Sequence, residues 1–166
     1  MILSGSSSQS FAAALADVTG EELAAVDYRR FPDGELLVSG PERVEGRAVV
    51  VVSTTSAAAH VEALQLQDAA REAGADEVVT VLPYMGYARQ DTAFRPGQPV
   101  SARAVARALS PGTDRVLTVN PHEPDVCEFF EVPAAAVDAA ARLANPLPPL
   151  DDPVFLAPDR DATALA

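Results

Sequence analysis

Lysine is absent from the 166 residues, and so is tryptophan; all twelve basic positions are arginine. Without lysine there is no phosphate loop of the G-x-x-x-x-G-K type and no Schiff-base chemistry. Cysteine occurs once, at Cys127, so no internal disulfide can form and the paired C-x-x-C spacing of a zinc site is missing. A lone thiol fits a reducing, cytoplasmic compartment. Long apolar runs are lacking too. The strongest, residues 48–52, is far too short to span a bilayer, and polar Ser4 follows the N-terminus without a basic stretch, so neither a membrane span nor a signal peptide is expected. Positive charge is scarce: 12 basic residues against 24 acidic ones leave a formal net charge of −12. Such a surface lacks the cationic footprint that binding to a nucleic-acid backbone requires.

What is present is a globular composition, 48% hydrophobic and 22% charged, with 32 alanines. The acidic residues come in ones and twos along the whole chain rather than in blocks. They could form a surface for a basic partner or an adaptation to high salt, and the scatter favours the halophilic reading.

Apolar patterning alternates between strand and helix. Met1–Leu3 reads as a short buried strand. Phe11–Val18 reads as a helix with Ser10 as N-cap. Leu23–Tyr28 and Glu35–Val38 flank a Pro32-Asp33-Gly34 turn and read as a hairpin. Arg47–Val52 is a β-branched run suited to a strand buried on both faces. Ser56–Ala73 reads as a helix stopped by Gly74. Glu77–Leu82 and Arg115–Val119 read as strands, and Ser101–Leu109 and Pro133–Leu143 as helices. Val154–Ala157 reads as a last strand. This order predicts an α/β fold, a mainly parallel sheet with helices on both faces and an early β-hairpin appendage. Four prolines between Asn145 and Pro153 suggest a stiff connector. The expected organisation is a domain over 1–145, a linker over 146–153 and the start of a second domain over 154–166.

In open parallel sheets, ligands bind outside the carboxyl ends of the strands. The polar clusters obey that rule: Ser53–Ser56, Pro83–Pro99, Asn120–Glu123 and Pro158–Asp161 each come directly after a strand. His122, beside Glu123 and Asp125, is either a metal ligand or acid/base group, or a loop histidine capping the following helix. One histidine and one carboxylate would make a loose Mg2+ site completed by substrate. Asp159 is a candidate of the same kind or an ordinary N-cap. His60 reads as a surface or partly buried helix residue. The segment Pro83–Asp91 carries Tyr84, Tyr87, Arg89, Gln90 and Asp91, a set suited to a purine and its phosphates or to a locally packed long loop. The turn presenting Asp33 and Glu35 could be no more than a hairpin. Ser4–Ser8 could cradle an anion before a helix or be a flexible loop.

Taken in order, Phe31-Pro32-Asp33-Gly34-Glu35, Pro83-Tyr84-Met85-Gly86-Tyr87-Ala88-Arg89-Gln90-Asp91, Pro96–Ala102, His122 with Phe129-Phe130, and Pro158-Asp159 resemble the ribose-phosphate pyrophosphokinase (phosphoribosyl pyrophosphate synthetase) family, in its archaeal-like form. The resemblance implies a phosphoribosyltransferase-like fold. It also implies transfer of the β,γ-diphosphoryl group of ATP to the 1-hydroxyl of ribose 5-phosphate, giving phosphoribosyl pyrophosphate and AMP. Phe31, Asp33, Gly34 and Glu35 match a turn that contacts adenine across a subunit interface, which implies a homo-oligomer. Arg89, Gln90 and Asp91 match the ATP-binding segment, and His122 and Asp159 the Mg2+ positions. The chain departs from the family's pattern at Asn120, where aspartate is frequent, at Thr92 and Gln98, and after Asp159. The ribose 5-phosphate loop and the catalytic lysine have no counterpart, so the chain reads as an N-terminal part with no catalytic residue of its own and those elements expected beyond Ala166. A non-catalytic regulatory homologue and an unrelated flavodoxin-like module are the alternatives.

Overall fold

The computed structural model describes residues 1–148, together with 154 and 156. Its centre is a five-stranded, fully parallel sheet. The strands are β1 (Ile2–Ser4), β4 (Arg47–Val51), β5 (Glu77–Leu82), β6 (Arg115–Val119) and β7 (Ala134–Val137), in the spatial order β1-β4-β5-β6-β7. Between β1 and β4 the chain forms helix α1 (Gln9–Thr19) and a separate antiparallel hairpin of β2 (Asp27–Arg30) and β3 (Leu36–Ser39). Helices α2 (Ala57–Glu72) and α3 (Ser101–Leu109) connect β4 to β5 and β5 to β6.

Each strand feeds alternate residues to two cores, as the two-residue period requires. On one side Leu3, Ala48, Val50, Val52, Val78, Leu82 and Val116 pack with Ala63, Leu66 and Ala70 of α2 and Ala102, Ala106 and Leu109 of α3. On the other, Ile2, Val51, Val79 and Val81 pack with Ala12, Leu15 and Ala16 of α1. Helices therefore cover both faces, two against one. The buried positions of α2, at 59, 62, 63, 66, 67 and 70, follow the 3.6-residue stripe of an amphipathic helix. Its Ser56 hydroxyl accepts from the Ala59 amide at 3.1 Å, a direct N-cap. Gly74, at φ +96°, follows the C-terminus in the left-handed region that favours glycine.

Four local expectations are corrected. Helix α1 begins at Gln9, so Ser8 and not Ser10 takes the N-cap position, and the Ser8 hydroxyl is spent accepting from the Ser53 amide at 2.7 Å. The first hairpin strand starts at Asp27: Leu23 makes only an isolated bridge to Ile2, which fixes that stretch against the sheet edge instead of in the hairpin. The helix expected over Pro133–Leu143 is strand β7 followed by a 3-10 turn, Ala140–Ala144. Alanine is the best helix former, but parallel pairing with β6, in register Val116↔Ala134 through Val119↔Val137, outweighs that preference. Finally, in the Ser4–Ser8 loop, read as an anion cradle or a flexible loop, several donors are already engaged within the protein. The Ser6 amide and hydroxyl both donate to the buried Glu62 carboxylate, at 2.8 and 2.7 Å. Of the last expected strand only Val154 and Leu156 are described, and Asp159 lies outside the described residues. No helix among the described residues is long and apolar enough to cross a membrane.

Candidate functional site

Because the sheet is parallel, the exits of β4, β5 and β6 share one edge. The loops after β5 and β6 enclose a cleft of about 360 Å³ there. Tyr84, Met85, Tyr87, Ala88, Arg89 and Gln90 line it from one side, and Val119, Asn120, Pro121 and His122 from the other. The structure thus brings together five of the residues singled out from sequence, Tyr84, Tyr87, Arg89, Gln90 and His122. Arg89 is exposed and makes no ion pair among the described residues. The ten lining residues include no aspartate or glutamate.

The loop after β5 is held from below. Thr54, almost fully buried, accepts on its hydroxyl from the Gly86 amide at 2.8 Å, and its own amide donates to the Tyr84 carbonyl at 3.0 Å. His60, one turn into α2, has Nδ1 at 2.8 Å from the Ser56 carbonyl, which assigns the proton to Nδ1. Its ring lies 5.4 Å from that of Tyr87, centroid to centroid, tilted by 55°. Tyr87 itself takes φ +63°, a left-handed conformation unusual for an aromatic residue. The chain then reaches Gln90, whose side chain is engaged at both ends. Nε2 donates to the Pro99 carbonyl at 3.1 Å and Oε1 accepts from the Ser101 hydroxyl at 2.7 Å. These bonds, with Ala102 N–H donating to the Gln90 carbonyl at 3.1 Å, pin the long loop to the start of α3.

On the β6 side Asn120 takes φ +37°. Its amide group donates to Asp138 at 2.8 Å and accepts from the Ala139 amide at 2.8 Å. Hydrogen bonds from the Ala140 amide and from Asn120 hold the Asp138 carboxyl below the usual carboxylate range. His122 projects two residues further on, exposed at the mouth of the cleft.

Phe31, Asp33, Gly34 and Glu35 lie elsewhere in the chain. They form the hairpin turn, closed by Phe31 N–H to Glu35 O at 2.8 Å and Gly34 N–H to Phe31 O at 2.9 Å. The Arg29 guanidinium covers the Phe31 ring at 5.0 Å. Gly34 and Glu35 line a separate open depression against Ala57, Ala58 and Val61 of α2. Reasoning from sequence missed Thr54 and His60 as parts of the site. The polar run after β4 was a signal for Thr54, whereas nothing in the sequence links His60 to Tyr87.

Among the described residues no group of three or more histidine, cysteine or acidic side chains could hold a metal ion. His122 offers one nitrogen donor. Mg2+ prefers oxygen ligands and keeps several waters, so this donor set fits only an ion that arrives with phosphates.

A parallel α/β sheet with a cleft at its carboxyl edge, lined by tyrosines and apolar side chains together with Arg89, Gln90, Asn120 and His122, belongs to the open-sheet α/β class, whose ligands bind at that edge. Comparison with known proteins gives the family. A family model described as the N-terminal domain of ribose phosphate pyrophosphokinase matches residues 1–111, and the chain belongs to that family. A ribose-phosphate pyrophosphokinase of Halobacterium salinarum is 71% identical over 168 residues, covering 100% of this chain and 60% of that protein. One from Methanopyrus kandleri is 46% identical, covering 92% of this chain and 54% of that protein. The crystal structure of phosphoribosylpyrophosphate synthetase from Mycobacterium smegmatis superposes with a TM-score of 0.77 at 28% identity, over 87% of this chain and 50% of that one. The chain therefore spans about 60% of the length of the curated relatives it matches. The Halobacterium match accords with the halophilic reading of the acidic composition, and the relatives' shared name does not favour the regulatory homologue.

Proposed function

We propose that this chain is the nucleotide-binding part of a ribose-phosphate pyrophosphokinase, which transfers diphosphate from ATP to ribose 5-phosphate to give phosphoribosyl pyrophosphate and AMP. One observation carries the reading. In a chain of net charge −12, the cleft at the sheet edge is lined by an arginine and a histidine and by no carboxylate. Transfer of this kind depends on positioning and on neutralising charge, not on covalent chemistry by the protein.

Each residue then has a role. Arg89 presents a guanidinium to phosphate oxygens, where charge-assisted and bidentate hydrogen bonds are strongest. Tyr84 and Tyr87 offer faces on which a base can lie. Gln90 holds the loop that carries them, and Asp91 follows at its outer end. His122 supplies one donor to Mg2+, with Asp159 proposed as a second; the ion, when bound, adds charge neutralisation at the phosphates. The Phe31–Glu35 turn lines a different depression from the cleft, which supports its assignment to the adenine site of a neighbouring copy and hence a homo-oligomer. ATP and ribose 5-phosphate are the proposed substrates, and the compartment is cytoplasmic.

Titration of the chain with Mg-ATP in concentrated salt tests this. Saturable binding is expected, weakened about 10- to 100-fold in Arg89→Ala, the equivalent of one or two charge-assisted hydrogen bonds. Absence of binding, or affinity indifferent to Arg89→Ala, refutes it.

A further inference from the structure

We propose that Asn120 and Asp138 form a clamp that aims His122 into the cleft, making Asn120 a positioning residue of the site; the proposal rests on reading that cleft as the nucleotide site. Strand β7 is weakly packed: it is four residues long, only Ala134 packs against the core, and none of its residues is fully buried. The sheet register ends at the pair Val119↔Val137. Just beyond it, three bonds tie the two strand exits together. Asn120 N–H donates to the Val137 carbonyl at 3.0 Å, Asn120 Nδ2 donates to Asp138 Oδ1 at 2.8 Å, and Ala139 N–H donates to Asn120 Oδ1 at 2.8 Å. Asp138 Oδ1 is in turn anchored by the Ala140 amide at 2.9 Å.

Opposite Asp138 and the Ala139 amide, asparagine suits the position. The position needs a donor facing a carboxylate and an acceptor facing an amide on the same short side chain, and asparagine supplies both. It also needs φ +37°, which asparagine tolerates better than other residues with a Cβ. Aspartate would meet the acceptor requirement but set two carboxylates face to face. The next residue, Pro121, has its φ fixed by its ring. With residue 120 clamped and residue 121 rigid, the start of His122 follows the clamp.

The test uses the whole chain with Asn120→Asp, the double variant Asn120→Asp with Asp138→Asn, and Asn120→Gly. Three quantities are read: the imidazole resonances by NMR, Mg-ATP affinity and thermal midpoint. The chain has two histidines, so His60 serves as an internal control for the His122 signal. In Asn120→Asp the His122 resonance should move while that of His60 stays. Mg-ATP affinity should fall about tenfold, the value of one hydrogen bond to a charged group. The double variant sets an amide opposite a carboxylate at the cost of the Ala140 bond, because Asp138 Oδ1 accepts from both Asn120 and Ala140, and should return both part of the way toward wild type. Asn120→Gly keeps the backbone conformation without the amide and should behave like Asn120→Asp. If Asn120→Asp does not fold, the glycine and double variants decide. Unchanged His122 resonance and affinity in Asn120→Gly, or a folded double variant that restores neither, overturns the clamp. If the wild-type chain binds no Mg-ATP, the function proposed above fails, and the His122 resonance still decides the clamp.

Discussion

Replacing Gly86 by alanine should loosen the cleft from beneath. Gly86 is buried in the loop after β5, and a Cβ built on it would lie 2.2 Å from the Thr54 carbonyl oxygen and 3.2 Å from His60 Cε1. Normal contact for a carbon atom is about 3.5 Å, so backbone must move by about 1 Å. The loop can stay and absorb the overlap, at the ~1–3 kcal/mol typical of an overpacked core. It can instead lift away, giving up the bonds from Gly86 N–H to the Thr54 hydroxyl and from Thr54 N–H to the Tyr84 carbonyl at about 1 kcal/mol each. Either route falls within about 1–3 kcal/mol, a drop in midpoint of roughly 2–12 °C for a domain of this size.

Gly40→Ala is the matched control. Its added Cβ would meet Leu3 Cδ2 at 3.5 Å and the Ala69 Cβ at 3.6 Å, ordinary contacts, so the unfolded-state effect should dominate and stabilise by ~0.4–1 kcal/mol. Circular dichroism melts of the two variants in concentrated salt, followed by Mg-ATP titration, give opposite signs for stability and a loss of affinity in Gly86→Ala alone. A Gly86→Ala protein as stable as Gly40→Ala, with wild-type affinity, would refute the idea that the Thr54 shelf positions the loop.

Three further outcomes stem from charge. Tyr28, half-buried with its hydroxyl donating to the Ser4 carbonyl, has its pKa pushed up to about 12 by burial and then by the Glu62 carboxylate. Its contribution is complete below about pH 10 and is lost as pH rises from 10 toward 12; with the ring only partly buried, about 1–2 kcal/mol is at stake. Alkaline unfolding of Tyr28→Phe should lack that step, and an identical profile would contradict it. Asp114 accepts from the Val78 amide at 2.7 Å and from Arg71 at 2.5 Å, and the amide first, then Arg71, holds its carboxyl below the ordinary value. That stability is present above the unfolded carboxylate range and lost as pH falls through it. Asp114→Ala should therefore cost about 1 kcal/mol at neutral pH and less in acid, measured by urea titration; an equal cost at both pH values would contradict this. Screening of the −12 charge should raise the melting midpoint as salt increases from about 0.1 M to about 1 M, and a flat response would remove the salt-adaptation reading.

Much of the sheet was legible because its strands are β-branched runs with no rival interpretation. Arg47–Val51 and Glu77–Leu82 could not be amphipathic helices, and the Ser56 cap and Gly74 stop bracket α2 by local chemistry. Strand β7 was not legible. Ala134, Ala135 and Ala136 favour a helix taken alone, and only the exposed backbone of β6 makes them a strand. The site divides along the same line. Arg89, Gln90 and His122 could be found because a parallel sheet sends every strand exit to one edge. The ring contact between His60 and Tyr87 could not, since it depends on where α2 starts relative to a loop residue 27 positions further along the chain.

The net charge bears on the site only through its distribution over the molecule. Averaged over the molecule, −12 argues against any polyanionic ligand. The structure shows that the average is the wrong quantity. Arg43, Arg47, Arg71 and Arg107 are held in ion pairs with carboxylates, Arg29 lies over Phe31 and Arg30 donates to the Gly34 carbonyl at 2.7 Å. Arg89, like Arg95, Arg103, Arg115 and Arg142, makes no ion pair among the described residues, and of these arginines it is the one that lines the cleft, whose lining includes no carboxylate. At about 1 M salt the screening length is about 3 Å, so acidic residues outside the cleft no longer repel a phosphate, while a guanidinium in direct contact still binds it. In the proposed site, high salt and a cleft lined by no carboxylate would then work together: the surface could carry its acidic charge without that charge opposing a phosphate beside Arg89.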